Sequence, residues 1–165
     1  ARMTEIVEAE GGVVLRFIGD GILAAFGVPV PRTSEGERAS DARHALSSAR
    51  AMAAAVAELN ADQARQGLPV IGLRIGIHSG PVTAGSVGGG AHLEYALIGD
   101  TANIAARLEG LARDVEPVAF GPCRIVVSDA TRRLAGAAPG EAIEAVGTVT
   151  LRGRTAPMAA WRVAR

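Results

Sequence analysis

Residues 97–113 read LIGDTANIAARLEGLAR. Leu97 and Ile98 close a strand-like run and Gly99 breaks it. From Asp100 onward the apolar period changes: Ile104, Leu108 and Leu111 recur at three- and four-residue steps, the spacing of one buried helix face. Asp100 or Thr101 is placed to accept hydrogen bonds from the first free amides of that helix. Asn103 and Arg107 are four apart, so they share a second face, away from the buried stripe. The stretch reads as strand, glycine, capped helix, with a polar pair held outward. Its Ile-Gly-Asp tripeptide also occurs earlier, in residues 13–27, VVLRFIGDGILAAFG, where Asp20 stands between two glycines.

In that earlier setting Asp20-Gly21 is the pair favoured in tight hairpin turns, and two antiparallel strands flank it. Asp20 has two readings. It is turn chemistry alone, or it is a rigidly held carboxylate able to bind a hard cation, since Mg²⁺ takes few carboxylates and completes its shell with phosphate oxygens. Asn103 and Arg107 likewise read either as a solvated face or as an amide that orients a sugar and a guanidinium that meets charge on a phosphoryl group.

Working outward, residues 1–10 form the end of an amphipathic helix, with Met3, Ile6 and Val7 on one face, stopped by Gly11-Gly12. A proline-bearing loop, 28–37, leads to a long helix over about 38–66, with Ala42, Leu46, Ala49, Met52, Ala53, Val56 and Leu59 on its apolar face. Ile71, Leu73, Ile75 and Ile77 alternate in a strand within 71–80. The glycine-rich piece 85–91 reads as a turn or flexible arm before a strand at 92–99. A strand at 123–127, a helix at 129–135 capped by Ser128 or Asp129, and strands at 145–151 and 158–164 complete the chain. This order predicts one α+β domain over residues 1–165, with helices on one side of a largely antiparallel sheet.

Composition excludes several function classes. The chain has 165 residues with 17 basic and 17 acidic side chains, and no basic block, which argues against a nucleic-acid binder. Its single cysteine, Cys123, allows no internal disulfide and no thiolate metal cluster. Every basic residue is arginine; a Walker-type phosphate loop needs a lysine after its glycines and is therefore excluded. No apolar run is long enough to span a bilayer. His44, His78 and His92 lack metal-ligand spacing, with His78 reading as structural, and Ser79, Ser86 and Cys123 have no evident base partner for nucleophilic catalysis. Trp161 reads as a packing residue.

In order along the chain, VVLRFIGDGILAAFG, LRIGIHSGPVTAG, YALIGDTANIAARLE, RIVVSDAT and GTVTLRGRTAPMAAWRV resemble the catalytic domain of class III adenylate/guanylate cyclases. The resemblance implies a ferredoxin-like α+β fold that works as a head-to-tail homodimer. It implies cyclisation of ATP to 3′,5′-cyclic AMP and pyrophosphate with two Mg²⁺ or Mn²⁺ ions. By position, Asp20 corresponds to one metal-binding aspartate, Asn103 to the ribose-orienting asparagine, and Arg107 to the arginine that stabilises the pentavalent phosphorus. Arg124 and Arg152 correspond to triphosphate contacts, with Arg154 as a register alternative to Arg152. Arg16 and Ala96 stand at the purine-reading positions. On this reading the second tripeptide caps a helix: Asp100 is a cap and Asp20 the ligand.

Two departures matter. The family's other metal aspartate lies on a strand before the first helix, and this chain begins inside that helix. The expectation is a piece of a longer, multidomain protein that binds metal poorly and turns over little as it stands, located in the cytoplasm and without membrane contact of its own. At the purine positions, Arg16 can donate to adenine N1, whereas Ala96 cannot accept from the adenine amino group; ATP is favoured over GTP. The alternatives are a guanylate cyclase, a non-catalytic nucleotide-binding or regulatory dimerisation module, and an interaction domain with no nucleotide role.

Overall fold

The structure, a computed structural model, describes residues 2–89, 92–115, 121–136, 143–150 and 157–163. Helix α1 (Arg2–Ala9) leads into a hairpin of β1 (Val13–Ile18) and β2 (Gly21–Ala25). The long helix α2 (Glu35–Arg65) follows, then β3 (Leu73–Ile77), a second hairpin of β4 (Thr83–Gly89) and β5 (His92–Ile98), and helix α3 (Asp100–Leu111) with a 3-10 turn at Ala112–Asp114. The chain continues as β6 (Cys123–Ser128), α4 (Asp129–Ala135), β7 (Ile143–Val149) and β8 (Met158–Val163). The α+β class is as expected, with one strand more.

That extra strand is β4. Gly85, Gly88 and Gly89 pair with Ala96, Leu93 and His92 of β5. Of the stretch 85–91, expected as a turn or flexible arm, residues 85–89 are strand, and 90 and 91 lie outside the described residues. Glycine disfavours a strand, yet ladder hydrogen bonds are made by the backbone and need no side chain.

The central sheet has the order β3-β6-β8-β7, with β3 and β6 parallel and the β6–β8 and β7–β8 pairs antiparallel. The two hairpins form separate two-stranded sheets. Helices cover both faces of the central sheet, a correction to the one-sided expectation. Cys123, Ile125 and Val127 face Ala42, Leu46, Ala49, Ala53 and Val56 of α2. Val126 faces Ile104 and Leu108 of α3, with Val149 and Ala160. A strand covered on both faces carries apolar residues at consecutive positions, which is why 125–127 reads IVV.

Helix α2 starts three residues earlier than the apolar period indicates, because polar chemistry sets its start. Ser34 Oγ accepts from the Glu37 amide at 3.2 Å, and the Ser34 amide donates to Glu37 Oε2 at 2.9 Å, a reciprocal capping box. At the other end of α2, the buried Asn60 clasps Ile71, donating Nδ2–H to Ile71 O at 2.7 Å and accepting the Ile71 amide at 2.8 Å. This pulls Ile71 out of the expected strand. Ser128 Oγ caps α4 by accepting the Thr131 amide at 3.2 Å. Arg132 of α4 lies over the Trp161 ring, 4.4 Å from its centroid.

The cap also sets a response to acid. The Ser34 amide, then the Ser34 hydroxyl and the Thr33 amide, hold the Glu37 carboxyl below its ordinary range. The Arg132 hydrogen bond, helped by Arg133, does the same for Asp129. A carboxyl lowered by folding contributes stability above its unfolded pKa and loses it as pH falls through the folded value. Thermal midpoints should therefore drop on acidification below about pH 4. Glu37→Gln should flatten part of that drop; an unchanged acid slope in this variant would remove the capping box as a cause.

Candidate functional site

The two Ile-Gly-Asp copies use their glycines for different backbone tasks. In the β1–β2 hairpin, Ile18 pairs with Gly21, so the two-residue turn is Gly19-Asp20 and not the expected Asp20-Gly21. Gly19 has φ +61, the sign that a II′ turn requires at its first central position. Asp20 thus stands exposed at the tip, with exposed Phe17 and Ile18 beside it.

In the second copy, Gly99 is the N-cap of α3, with φ 143 and no side-chain cap. The expected capping by Asp100 or Thr101 is not what the structure shows. Thr101 Oγ1 donates instead to Pro81 O at 2.7 Å, tying the first turn of α3 to the loop after β3. Asp100 remains in the first turn, where a negative charge suits the helix dipole.

Three contacts seat α3 on β3 and its following loop. Thr101 holds its start. At its centre, β3 approaches so closely that a Cβ on Gly76 would collide with the Ala105 carbonyl oxygen and the Glu109 amide, and would lie 3.0 Å from the Leu108 carbonyl carbon. Near its end, Arg74 Nε donates to Glu109 Oε1 at 2.6 Å. Ile104 and Leu108 are buried beneath the helix, while Asn103 and Arg107 are exposed, as their spacing implies.

Arg107 is oriented within its own chain: Nη1 donates to Thr150 O at 2.8 Å, just past β7. A guanidinium has five N–H donors, so this anchor leaves Nη2 and Nε to meet an incoming oxyanion. Arg124 is engaged differently. At the start of β6 it is half-buried, its Nε donating to Val115 O at 2.5 Å and its Nη1 to Pro122 O at 3.4 Å. Arg16 is exposed on β1, and Ala96 is half-buried on β5 opposite Gly85. Arg152 and its register alternative Arg154 lie outside the described residues.

The structure therefore brings Asn103 and Arg107 together on one exposed helix face and puts Asp20 on a separate hairpin sheet. Cys123 is buried and burial pushes its thiol up, so it is no nucleophile. Among the described residues no group of three or more His, Cys, Asp or Glu side chains could hold a metal ion. No helix among them is long and apolar enough to cross a membrane.

Two features escaped sequence reasoning. The Gly76 approach carries no local signal beyond a glycine inside a strand pattern. The pairing of His78 Nδ1 with Ser128 Oγ, at 2.8 Å, links residues fifty positions apart and had none.

Comparisons with known proteins bear on the family and the fold. The chain is 38% identical over 111 residues to adenylate cyclase 1 of Rhizobium meliloti, covering 67% of this chain and 16% of that protein. It is 33% identical over 137 residues to the adenylate cyclase of Anabaena cylindrica, covering 81% of this chain and 24% of that one. The chain thus spans a quarter or less of these relatives' length. Among solved structures, the guanylyl cyclase Cya2 superimposes with a TM-score of 0.71 at 26% identity, covering 98% of this chain and 74% of that one. The adenylyl cyclase CyaB from P. aeruginosa shares the fold, with a TM-score of 0.73 at 23% identity over 98% of this chain and 76% of that one. The family model described as adenylate and guanylate cyclase catalytic domain matches residues 1–164, and the chain belongs to that family.

Proposed function

We propose that this chain converts ATP to 3′,5′-cyclic AMP and pyrophosphate, at sites shared between two copies in a head-to-tail homodimer. The observation that carries the reading is the seating of α3. A helix fixed at its start to the loop after β3, and at its centre and end to β3 itself, holds one amide and one anchored guanidinium outward on the same face. Asn103 orients the ribose. The ribose 3′-hydroxyl gives up its proton to solvent as its oxygen forms a bond to the α-phosphorus, the bond to the pyrophosphate oxygen breaks, and Arg107 meets the added negative charge in the transition state. A donor fixed before the reaction begins costs no reorganisation during it.

Asp20 reaches that helix from another copy. Exposed Phe17 and Ile18 beside Asp20, and exposed Ile98 just before α3, are apolar surface that a partner copy would cover. The residues described here do not fit a two-cation centre by themselves, since Asp20 is a lone carboxylate and no ligand cluster accompanies it. No step of the mechanism is therefore derived through a cation. Asp20 would serve as one ligand to an ion that arrives with the triphosphate.

Adenine is the favoured base. Arg16 supplies a donor for adenine N1, whereas guanine presents donors along its N1 and N2 edge and calls for an acidic reader. Ala96 offers no acceptor to the adenine amino group, so the preference is shallow. The R. meliloti and A. cylindrica relatives, both named adenylate cyclases, support the same direction.

The lone carboxylate also favours a second reading, in which the chain binds nucleotide without turning it over. Incubating the protein that carries this chain with ATP or GTP and Mn²⁺, and quantifying cyclic product and pyrophosphate, separates the two. Cyclic AMP should exceed cyclic GMP by roughly fivefold, the worth of one hydrogen bond. ATP binding without product would select the second reading. Absence of binding altogether, or cyclic GMP in excess, would overturn the function or the base assignment respectively.

A further inference from the structure

A partly buried network joins the segment after β3 and the C-terminal end of β6 to the start of α4, and the proposed chemistry does not use it. His78 Nδ1 is 2.8 Å from Ser128 Oγ, Ser128 Oγ is 3.1 Å from Thr131 Oγ1, and Ser79 Oγ is 3.0 Å from Thr131 Oγ1. Ser128 and Thr131 are both completely buried. Thr131 Oγ1 also lies 3.5 Å from Ile77 O, which can only accept.

Counting protons gives one consistent set of donors. If Thr131 gives its hydroxyl proton to Ile77 O, its Oγ1 accepts from Ser79 and Ser128. Ser128 then donates to Thr131 Oγ1 and accepts twice, from the Thr131 amide and from His78. In that set every hydroxyl is satisfied and His78 donates from Nδ1; in the reverse set Ser128 donates to His78 Nδ1 and Thr131 to Ser128, and every hydroxyl is again satisfied, so the His78–Ser128 bond stands in both. A buried hydroxyl pair with so complete a set of partners is stiff, because losing any one strands another in a dry environment.

The other side of His78 faces the seat of α3. A Cβ on Gly80 would lie 3.1 Å from His78 Nε2 and 2.8 Å from Thr101 Oγ1, so the imidazole and the Thr101 hydroxyl close on Gly80 together. The next residue, Pro81, offers its carbonyl to Thr101. A Cβ on Gly99 would stand 3.3 Å from that same carbonyl oxygen. The segment 78–81 is thus held by Ser128 at one end and carries the first turn of α3 at the other.

We propose that His78 is a positioning residue: its hydrogen bond to Ser128 fixes the loop on which the first turn of α3 stands, and so places Asn103 and Arg107. What those two residues do rests on the cyclase reading above; the seat itself does not. The signature sought is local. A residue with a merely structural role would loosen the whole fold on removal, whereas His78 should loosen α3 ahead of the β6 core.

Residue-resolved amide hydrogen exchange in the full chain tests this. His78→Leu should speed exchange at Asn103–Arg107 by about tenfold, the loss of one hydrogen bond to a buried hydroxyl, with a smaller change at Ile125–Val127. His78→Asn sets an amide group, able to donate or accept, where Nδ1 stands and should restore near-normal rates. Should His78→Leu fail to fold, His78→Gln carries the same test, being polar but with its amide one bond farther out. Equal acceleration in α3 and β6, or no rescue by asparagine, overturns the proposal. In the cyclase assay His78→Leu should lower kcat with KM little changed. Exchange is read whether or not product forms, so absence of product from the protein that carries this chain sinks the functional reading alone and leaves the seat supported by the exchange pattern.

Discussion

Replacing Gly76 with alanine is expected to lower the thermal midpoint by roughly 6–12 °C, through about 3 kcal/mol of overpacking at 2–4 °C per kcal/mol for a domain of this size. The added methyl meets the Ala105 carbonyl oxygen and the Glu109 amide, and the Leu108 carbonyl carbon at 3.0 Å. All three are backbone atoms of α3, which cannot step aside as the end of a side chain can. Relief requires the helix to lift from β3, and lifting it exposes Ile104 and Leu108, both nearly or fully buried. The same motion carries Asn103 and Arg107 away from their places, so turnover should fall further than stability alone accounts for. Gly110 supplies the control. It lies in the same helix, and a Cβ there meets nothing within 4 Å. Gly110→Ala should stabilise by about 0.5–1 kcal/mol through reduced backbone entropy of the unfolded chain. Calorimetry of the two variants reads both signs. A neutral Gly76→Ala would mean that α3 does not rest on β3 as closely as described.

That contrast marks what the sequence could and could not disclose. The stripe of Ile104 and Leu108 and the outward pair Asn103/Arg107 were legible because a helix writes its faces into residue spacing. Leu111, assigned to the same stripe, is only half-buried, since the chain tightens into a 3-10 turn directly after it. The hairpin around Asp20 was legible from its glycines, although the turn sits one residue earlier than the Asp-Gly pair suggests. Helix α2 ran past its predicted start because apolar periodicity cannot see a capping box, while the sequence Ser34-Glu35-Gly36-Glu37 did display one. The sheet is covered on two sides where the order of elements indicates one. The consecutive apolar residues of β6 are the signal for burial on both faces.

Contacts between distant residues were not legible at all. Nothing near His78 names Ser128 as its partner, and nothing near Thr101 names the Pro81 carbonyl. Both depend on how β3, β6 and α3 are stacked, which is a property of the fold. The same holds for Arg107. Its spacing announced an exposed guanidinium but not the anchor at Thr150 O, which converts a flexible side chain into an oriented one. Arg124 shows the converse. Its type and position fit a phosphate contact, yet the structure gives two of its five donors to the Val115 and Pro122 carbonyls, so a role toward triphosphate would fall to the donors that remain.

Arg107→Ala is expected to lower turnover by about 10²–10³, the usual loss on removing one fixed donor from a transition-state charge. Arg107→Lys should recover little, because an ammonium cannot hold the Thr150 carbonyl and a phosphoryl oxygen in one plane. Asp20→Ala should be similarly inactive with the fold intact, since Asp20 is an exposed turn residue outside the core. The decisive measurement mixes the two inactive variants. If each site takes Asp20 from one copy and Arg107 from the other, random pairing makes half the dimers mixed, and each mixed dimer has one intact site of two. About a quarter of wild-type turnover should return. Sites built within a single copy predict no recovery at any mixing ratio, because every copy then carries one of the two lesions. Circular dichroism of each variant excludes unfolding as the cause of silence. Sedimentation of the mixture shows whether pairs form, so a failure to recover counts against shared sites only where dimers are present. Recovery would also explain the exposed Phe17, Ile18 and Ile98: these side chains flank the two half-sites, and pairing would take them out of water.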